Sequence, residues 1–207
     1  MKKLVLLAAI AVMSVTTVEA QEVRLGAKGG VNFATFNGDN LGDIKSRTGF
    51  HIGGLVEIPV TEKFSVQPEI LYSAQGAEYK DSGREGGVNY SYEYKNKLDY
   101  ISVPVMAKFY VIDGLAIEAG PQVSFLASSK SEYEGTLGDV TVSGESDLED
   151  VSKVDFSLGA GVSYRLPVGV FFGARYNFGL TNVNDGNNAD DNKINNRVFQ
   201  LSAGYSF

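Results

Sequence analysis

The chain has 207 residues, with 25 acidic against 18 basic side chains, a formal charge of -7, a single histidine and no cysteine. A negative balance of this kind excludes a nucleic-acid binder, which needs a basic face for phosphate. Without cysteine there are no disulfides and no thiolate ligands, so packing and hydrogen bonding alone must hold the fold.

Residues 1–20, MKKLVLLAAIAVMSVTTVEA, place Lys2 and Lys3 before a short apolar core and end in Val18-Glu19-Ala20. This predicts a secretory signal cleaved before Gln21. The apolar stretch is shorter than the ~20 residues a spanning helix needs. Residues 21–207 then form one domain, and losing Lys2, Lys3 and Glu19 moves the charge from -7 to -8.

From there the sequence alternates with period two in eight segments: 23–33, 50–58, 64–75, 101–109, 115–125, 154–165, 170–180 and 199–207. Each is near or above the ~9 to 11 residues with which a tilted strand crosses a bilayer. The links alternate too. PVTEK, VIDG and LPVG are short; TFNGDNLGDIKSRT, KDSGREGGVNYSYEYKNK, the stretch from about Ser129 to Lys153, and NVNDGNNADDNKINN are long. Short turns at one end and long polar loops at the other predict an all-β, eight-stranded antiparallel up-and-down transmembrane barrel, with both termini at the short-turn end. Such a closed sheet leaves no unpaired edge in lipid.

A soluble barrel would alternate in the same way, so the choice falls to the composition of the polar row. That row is rich in small residues, among them Gly26, Gly30, Gly120, Gly159, Gly161 and Gly204, which suit a crowded narrow interior. Charges of both signs lie among them. The predicted interior network is Arg24, Lys28, His51, Glu57, Gln67, Glu69, Lys108, Glu118, Gln122, Asp155, Arg165 and Arg175. The apolar row then faces lipid. Its aromatics Phe64, Phe109, Tyr164, Tyr205 and Phe207 mark the interface at the short-turn side, and Phe33, Phe50, Tyr72, Phe125, Phe156 and Phe178 mark the other.

The segments TGFHIGGLVEIPVTEKFSVQPEILYSAQG, LDYISVPVMAKFYV and IEAGPQVSFLASSK resemble the PorT-type family of small outer-membrane β-barrels, also described as porin family. Gln67-Pro68-Glu69, Val103-Pro104-Val105 with Lys108, and Gly120-Pro121 carry the likeness most specifically. It implies a barrel in the outer membrane of a Gram-negative bacterium and, for the namesake branch, an accessory role in protein secretion. The terminal row ending at Phe207 resembles the signal read by the barrel insertion machinery. Pro68, Pro104 and Pro121 each remove a donor from an edgeless sheet, so bulges or local widening are expected there.

Chemistry is sparse. His51 is the one imidazole, expected on the inward row beside Glu57 and near serines such as Ser102. A lipid hydrolase needs a triad at the bilayer side or rim, so His51 is expected to be structural. No His/Cys metal cluster and no cofactor motif is present. NDGNNADDNK is oxygen-rich but lacks EF-hand spacing, and the acidic stretch 131–153 reads as a solvated loop. The tyrosines of NYSYEYKNK are expected to extend strands above the membrane or to form a binding ridge. The expected role is a closed, non-enzymatic structural or interaction barrel. Lipid, lipopolysaccharide and a protein at the long loops are the expected partners. A secretion accessory or narrow solute channel is the alternative, and a lipid-modifying enzyme comes last.

Overall fold

The computed structural model describes residues 23–38, 44–185 and 193–207. The expected signal at 1–20 and most of NDGNNADDNK lie outside these residues. Nine antiparallel strands are found among them: β1 (Arg24–Gly38), β2 (Ile44–Thr61), β3 (Phe64–Glu85), β4 (Val88–Ile112), β5 (Leu115–Leu137), β6 (Val140–Asp147), β7 (Val154–Arg165), β8 (Val170–Gly179) and β9 (Ile194–Ser206). Eight of them close a ring. Neighbours pair in chain order from β1 through β5 to β7, β8 and β9, and β9 returns to β1 from Gly26↔Ser206 to Gly38↔Ile194. Closure extends to the last residue, since the Phe207 N–H donates to the Leu25 carbonyl at 2.7 Å.

The alternation resolves into two surfaces. Leu25, Phe50, Ile70, Val105, Ile117, Phe156, Leu158 and Phe172 stand exposed on the outside, while Lys28, His51, Glu69, Lys108, Glu118 and Arg175 are buried inside. An apolar exterior around a charged interior reverses the pattern of a water-soluble barrel and matches one whose surrounding solvent is hydrocarbon. Short links close one end: Glu62-Lys63 between β2 and β3, Asp113-Gly114 between β4 and β5, and residues 166–169 between β7 and β8. Gly114 and Gly169 hold φ at 81° and 90° there, a region open to glycine at little cost.

Two expectations need correction. The segment KDSGREGGVNYSYEYKNK is not a loop: β3 and β4 run through it in register from Lys80↔Glu93 to Glu85↔Val88. Gly86 and Gly87, at φ 59° and 86°, supply the two-residue turn, in which positive φ at both central positions matches strand twist. The stretch after Ser129 is not only solvated loop, because β5 continues to Leu137 and β6 folds back on it. At the three prolines, the expected bulges or local widening take the second form. Pairing between β3 and β4 stops at Pro68↔Val105 and resumes at Leu71↔Ser102, and between β4 and β5 it stops at Pro104↔Gln122 and resumes at Ala107↔Ala119, register unchanged. The ladder opens locally where the N–H is missing. Register shifts lie elsewhere, between Ser46 and His51, Pro59 and Thr61, Asp99 and Tyr100, and Tyr110 and Ile112.

Candidate functional site

Two parts of the molecule carry chemistry: the barrel interior and the sheet that projects beyond the ring. Inside, inward positions of six strands converge on one connected network. Glu69 on β3 is fully buried and accepts from Lys28 at 2.6 Å and from both Arg175 terminal nitrogens at 3.0 and 2.8 Å. The Arg175 Nε donates to Glu118 at 2.8 Å. Gln67 relays the chain, donating to Glu69 at 2.7 Å and accepting from Lys108 at 3.0 Å. Lys108 also meets Glu57 at 2.8 Å, and Glu57 accepts from Arg24 at 3.1 Å and from the Tyr110 hydroxyl at 2.5 Å near the short-turn rim. Lys28, Lys108 and Arg175 thus balance Glu57, Glu69 and Glu118 across the lumen. Charges so buried persist only when paired and hydrogen-bonded, and side chains of this length fill the bore of an eight-stranded ring.

Toward the long-strand end the interior turns from ionic to amide. His51 lies between Asn32 Oδ1 at 2.7 Å and Ser202 Oγ at 2.8 Å, on β1 and β9, rather than beside Glu57 and Ser102 as expected. The ring has room because Gly30 faces it: a Cβ there would stand 2.7 Å from His51 Cε1 and 1.9 Å from the Leu201 carbonyl. Ser202, His51 and Asn32 form a line that resembles a nucleophile, a base and an orienting group. Asn32 is committed elsewhere, however, accepting from Gln200 at 2.9 Å and donating to Ser73 and to the Ala74 carbonyl. Asn177, Gln75 and Asn196 extend this layer through Gln200 and Ser73. These amides were absent from the sequence-based set, which weighted charge over polarity; their places on the polar row were the available signal.

The remaining expected residues scatter. Gln122 is buried and donates to Ser124 at 3.1 Å. Arg165 is half-buried at the short-turn rim, its Nε without a partner. Asp155 is buried and has no ionic partner among the described residues. Of the aromatics, Phe64 pairs across the sheet with Phe109, Tyr205 packs on Phe207 with ring centroids 5.1 Å apart, and Tyr164 lies opposite Leu115 and Phe172.

The projecting sheet is built from the upper parts of β3, β4 and β5 together with β6. Alternation runs on without a break from the ring, so Tyr90, Tyr92 and Tyr94 lie on the face that continues the interior row of Leu98 and Tyr100. On the same face stand Tyr133, Leu137, Val140 and Val142, lining a groove of 490 Å³. The opposite face is charged: Lys80 and Lys95 flank Glu93 at 3.1 and 2.6 Å, Lys97 meets Glu132, and Lys130 meets Glu145 at 2.6 Å. Hydrogen bonding to Lys95 holds the Glu93 carboxyl below the usual carboxylate range, and Lys130 does the same for Glu145. Among the described residues β6 ends the sheet, pairing with β5 alone, so its outer backbone edge is open to them.

A family model described as outer membrane protein beta-barrel domain matches residues 19–185. Among solved structures, the attachment invasion locus protein Ail of Yersinia pestis is similar at TM-score 0.50 and 13% identity, covering 90% of this chain and 100% of that one. Neisserial surface protein A is similar at TM-score 0.41 and 14% identity, covering 90% and 98%. The first likeness agrees with the fold traced above. Comparison with curated proteins gives no significant match.

Proposed function

Since the chain belongs to the outer membrane protein beta-barrel domain family, we propose that it is a closed, non-enzymatic barrel that presents its projecting sheet outside the cell to bind an extended polypeptide. Its membrane is the outer membrane of a Gram-negative bacterium. One observation carries the proposal. Above the ring, the apolar row stands in the open on the inner face of a sheet whose last strand, β6, has an unpaired edge.

An extended segment can add to such an edge through backbone hydrogen bonds and lay alternate side chains on the exposed face. Val140 and Val142 would receive apolar residues, and the acidic end of β6, Glu145 and Asp147, calls for Lys or Arg opposite it. The charged outer face, with Lys80, Lys95 and Lys130, is suited to lipopolysaccharide head groups. A secretion accessory of the PorT type would use the same surface, with the bound segment as its partner. The ionic network across the lumen argues against solute conduction. Hydrolysis is disfavoured because Ser202 and His51 lie inside the ring, away from lipid.

Purified barrel in nanodiscs, titrated with a labelled eight-residue peptide of alternating Val and Lys, tests the reading. Binding should weaken at least ~10-fold in the Val140→Lys/Val142→Lys double variant. It should also fail with a peptide of the same composition whose valines are contiguous. Equal binding in both comparisons would refute the docking surface. Steady ion flow through the protein in a planar bilayer would refute the closed interior.

A further inference from the structure

Between the ionic network and the long-strand mouth lies a closed layer with an unusual inventory. The mouth is capped by apolar side chains: Leu98, Tyr100 and Val183 pack together with Leu148 and Val151 against them, and a bridge between Val151 and Asn184 holds two connecting segments over the opening. Beneath this cap, Asp155 Oδ1, Ser157 Oγ, Tyr100 Oη, Asn177 Oδ1 and Asn196 Oδ1 are all buried without a hydrogen-bond partner.

The register sets four of these five residues in adjoining rows. Asp155 and Ser157 are successive inward residues of β7, and Ser157 is paired with Gly179, whose neighbour on β9 is Asn196. Asn177 lies opposite Gly159 with its Oδ1 directed at that glycine, two inward steps, about 13 Å, along β7 from Asp155, so its oxygen stands apart from the other four. Ser124 lies between Asp155 on β7 and Ser102 on β4, two residues from Tyr100. Both amides are oriented by their nitrogens, Asn177 donating to Gln200 at 2.9 Å and Asn196 to Gln75 at 2.8 Å, which leaves both oxygens free.

The set of Asp155, Ser157, Tyr100 and Asn196 is therefore one carboxylate and three neutral oxygens, with no cation committed to it among the described residues. Lys28, Lys108 and Arg175 are engaged by Glu57, Glu69 and Glu118. A lone buried carboxylate is strongly unfavourable unless its charge is compensated. Oxygen-only ligands select hard cations, and a single charged ligand neutralises a monovalent ion where calcium sites gather several carboxylates. We propose that the layer beneath the cap, lined by Asp155, Ser157, Tyr100 and Asn196, binds one alkali cation of the sodium class.

The test uses the mature chain folded in nanodiscs, heated in sodium chloride or in N-methylglucamine chloride at equal ionic strength, with sodium-23 NMR line broadening as a direct readout. Sodium should raise the unfolding midpoint saturably by ~3 °C or more, and the large organic cation should not. Asp155→Asn should abolish both the shift and the broadening while still folding. Ser157→Ala should weaken sodium binding several-fold with the fold intact, and Glu62→Gln, in the exposed turn between β2 and β3, should leave the response unchanged. A wild-type midpoint indifferent to sodium, with Asp155→Asn as stable as wild type, would overturn the proposal in favour of a protonated carboxyl. So would an equal response to N-methylglucamine, or a stronger response to calcium than to sodium.

Discussion

Strands β4 and β5 pass through both regions of the molecule, and their two faces exchange roles on the way. Within the ring their outer face is Val105, Phe109, Ile117 and Phe125, and their inner face holds Lys108, Glu118 and Gln122. Beyond it the outer face is Glu93, Lys95, Lys97 and Glu132, and the inner face is Tyr92, Tyr94, Tyr133 and Leu137. β4 keeps its alternation throughout, whereas β5 carries one extra residue, Ala127, at the register shift opposite Asp99 and Tyr100, which turns its other row inward above the ring; for both strands the solvent changes. Hydrocarbon requires an apolar exterior and drives charge into the bore, where it must be paired; water permits charge outside, and the apolar row above the ring is left exposed on the inner face. The exchange turns one pair of strands into a membrane wall at one end and an exposed apolar groove at the other.

The sharpest way to break this comparison is inside the ring. Glu69→Gln leaves Lys28 and Arg175 without their shared carboxylate and should cost about 3–5 kcal/mol, read from urea unfolding in lipid. A cost near zero would mean that the interior is hydrated rather than sealed. Next comes a charge placed on each region's apolar row. Leu158→Arg, half-exposed on the lipid side of β7, should cost about 2–4 kcal/mol. Val142→Arg, as exposed as Leu158 but above the ring, should stay within about 0.5 kcal/mol. Similar costs for both would place the projecting sheet in the membrane and dissolve the distinction.

A smaller effect is expected of His51→Ala, which strands Asn32 and Ser202 and should cost about 1–3 kcal/mol. Lipid A and phospholipid profiles of cells carrying it should match wild type, and a changed profile would reopen the hydrolytic reading of Ser202. The smallest effect concerns pH. The Glu145 carboxyl is held below its usual range by Lys130, so the stability it lends is full above the ordinary carboxylate pKa and fades as pH falls through the lowered one. Amide exchange in β6 should therefore quicken only in acid below about pH 4, with the ring strands unaffected.

Period-two alternation, the long and short links and the glycine-dotted polar row were enough to read eight ring strands and the side of each that faces in. That is so because a strand's side chains alternate strictly and a barrel has only two environments to sort them into. The long loops were harder to read. In 80–97 and 131–147 the alternation persists but polar and aromatic residues replace the apolar signature, so β6 and the upper hairpin look like loop until pairing is seen.

The charged members of the interior were legible one by one; their wiring was not. That Glu69 would bind Arg175, 106 residues away, that His51 would turn to Asn32 and Ser202, and that Asp155 would be left alone depend on the ring's closure and its stagger. Hydropathy along the chain sets which face each residue takes. Which partner it meets is fixed only when distant strands are brought side by side, because the free energy of a buried charge belongs to the pair and not to either residue.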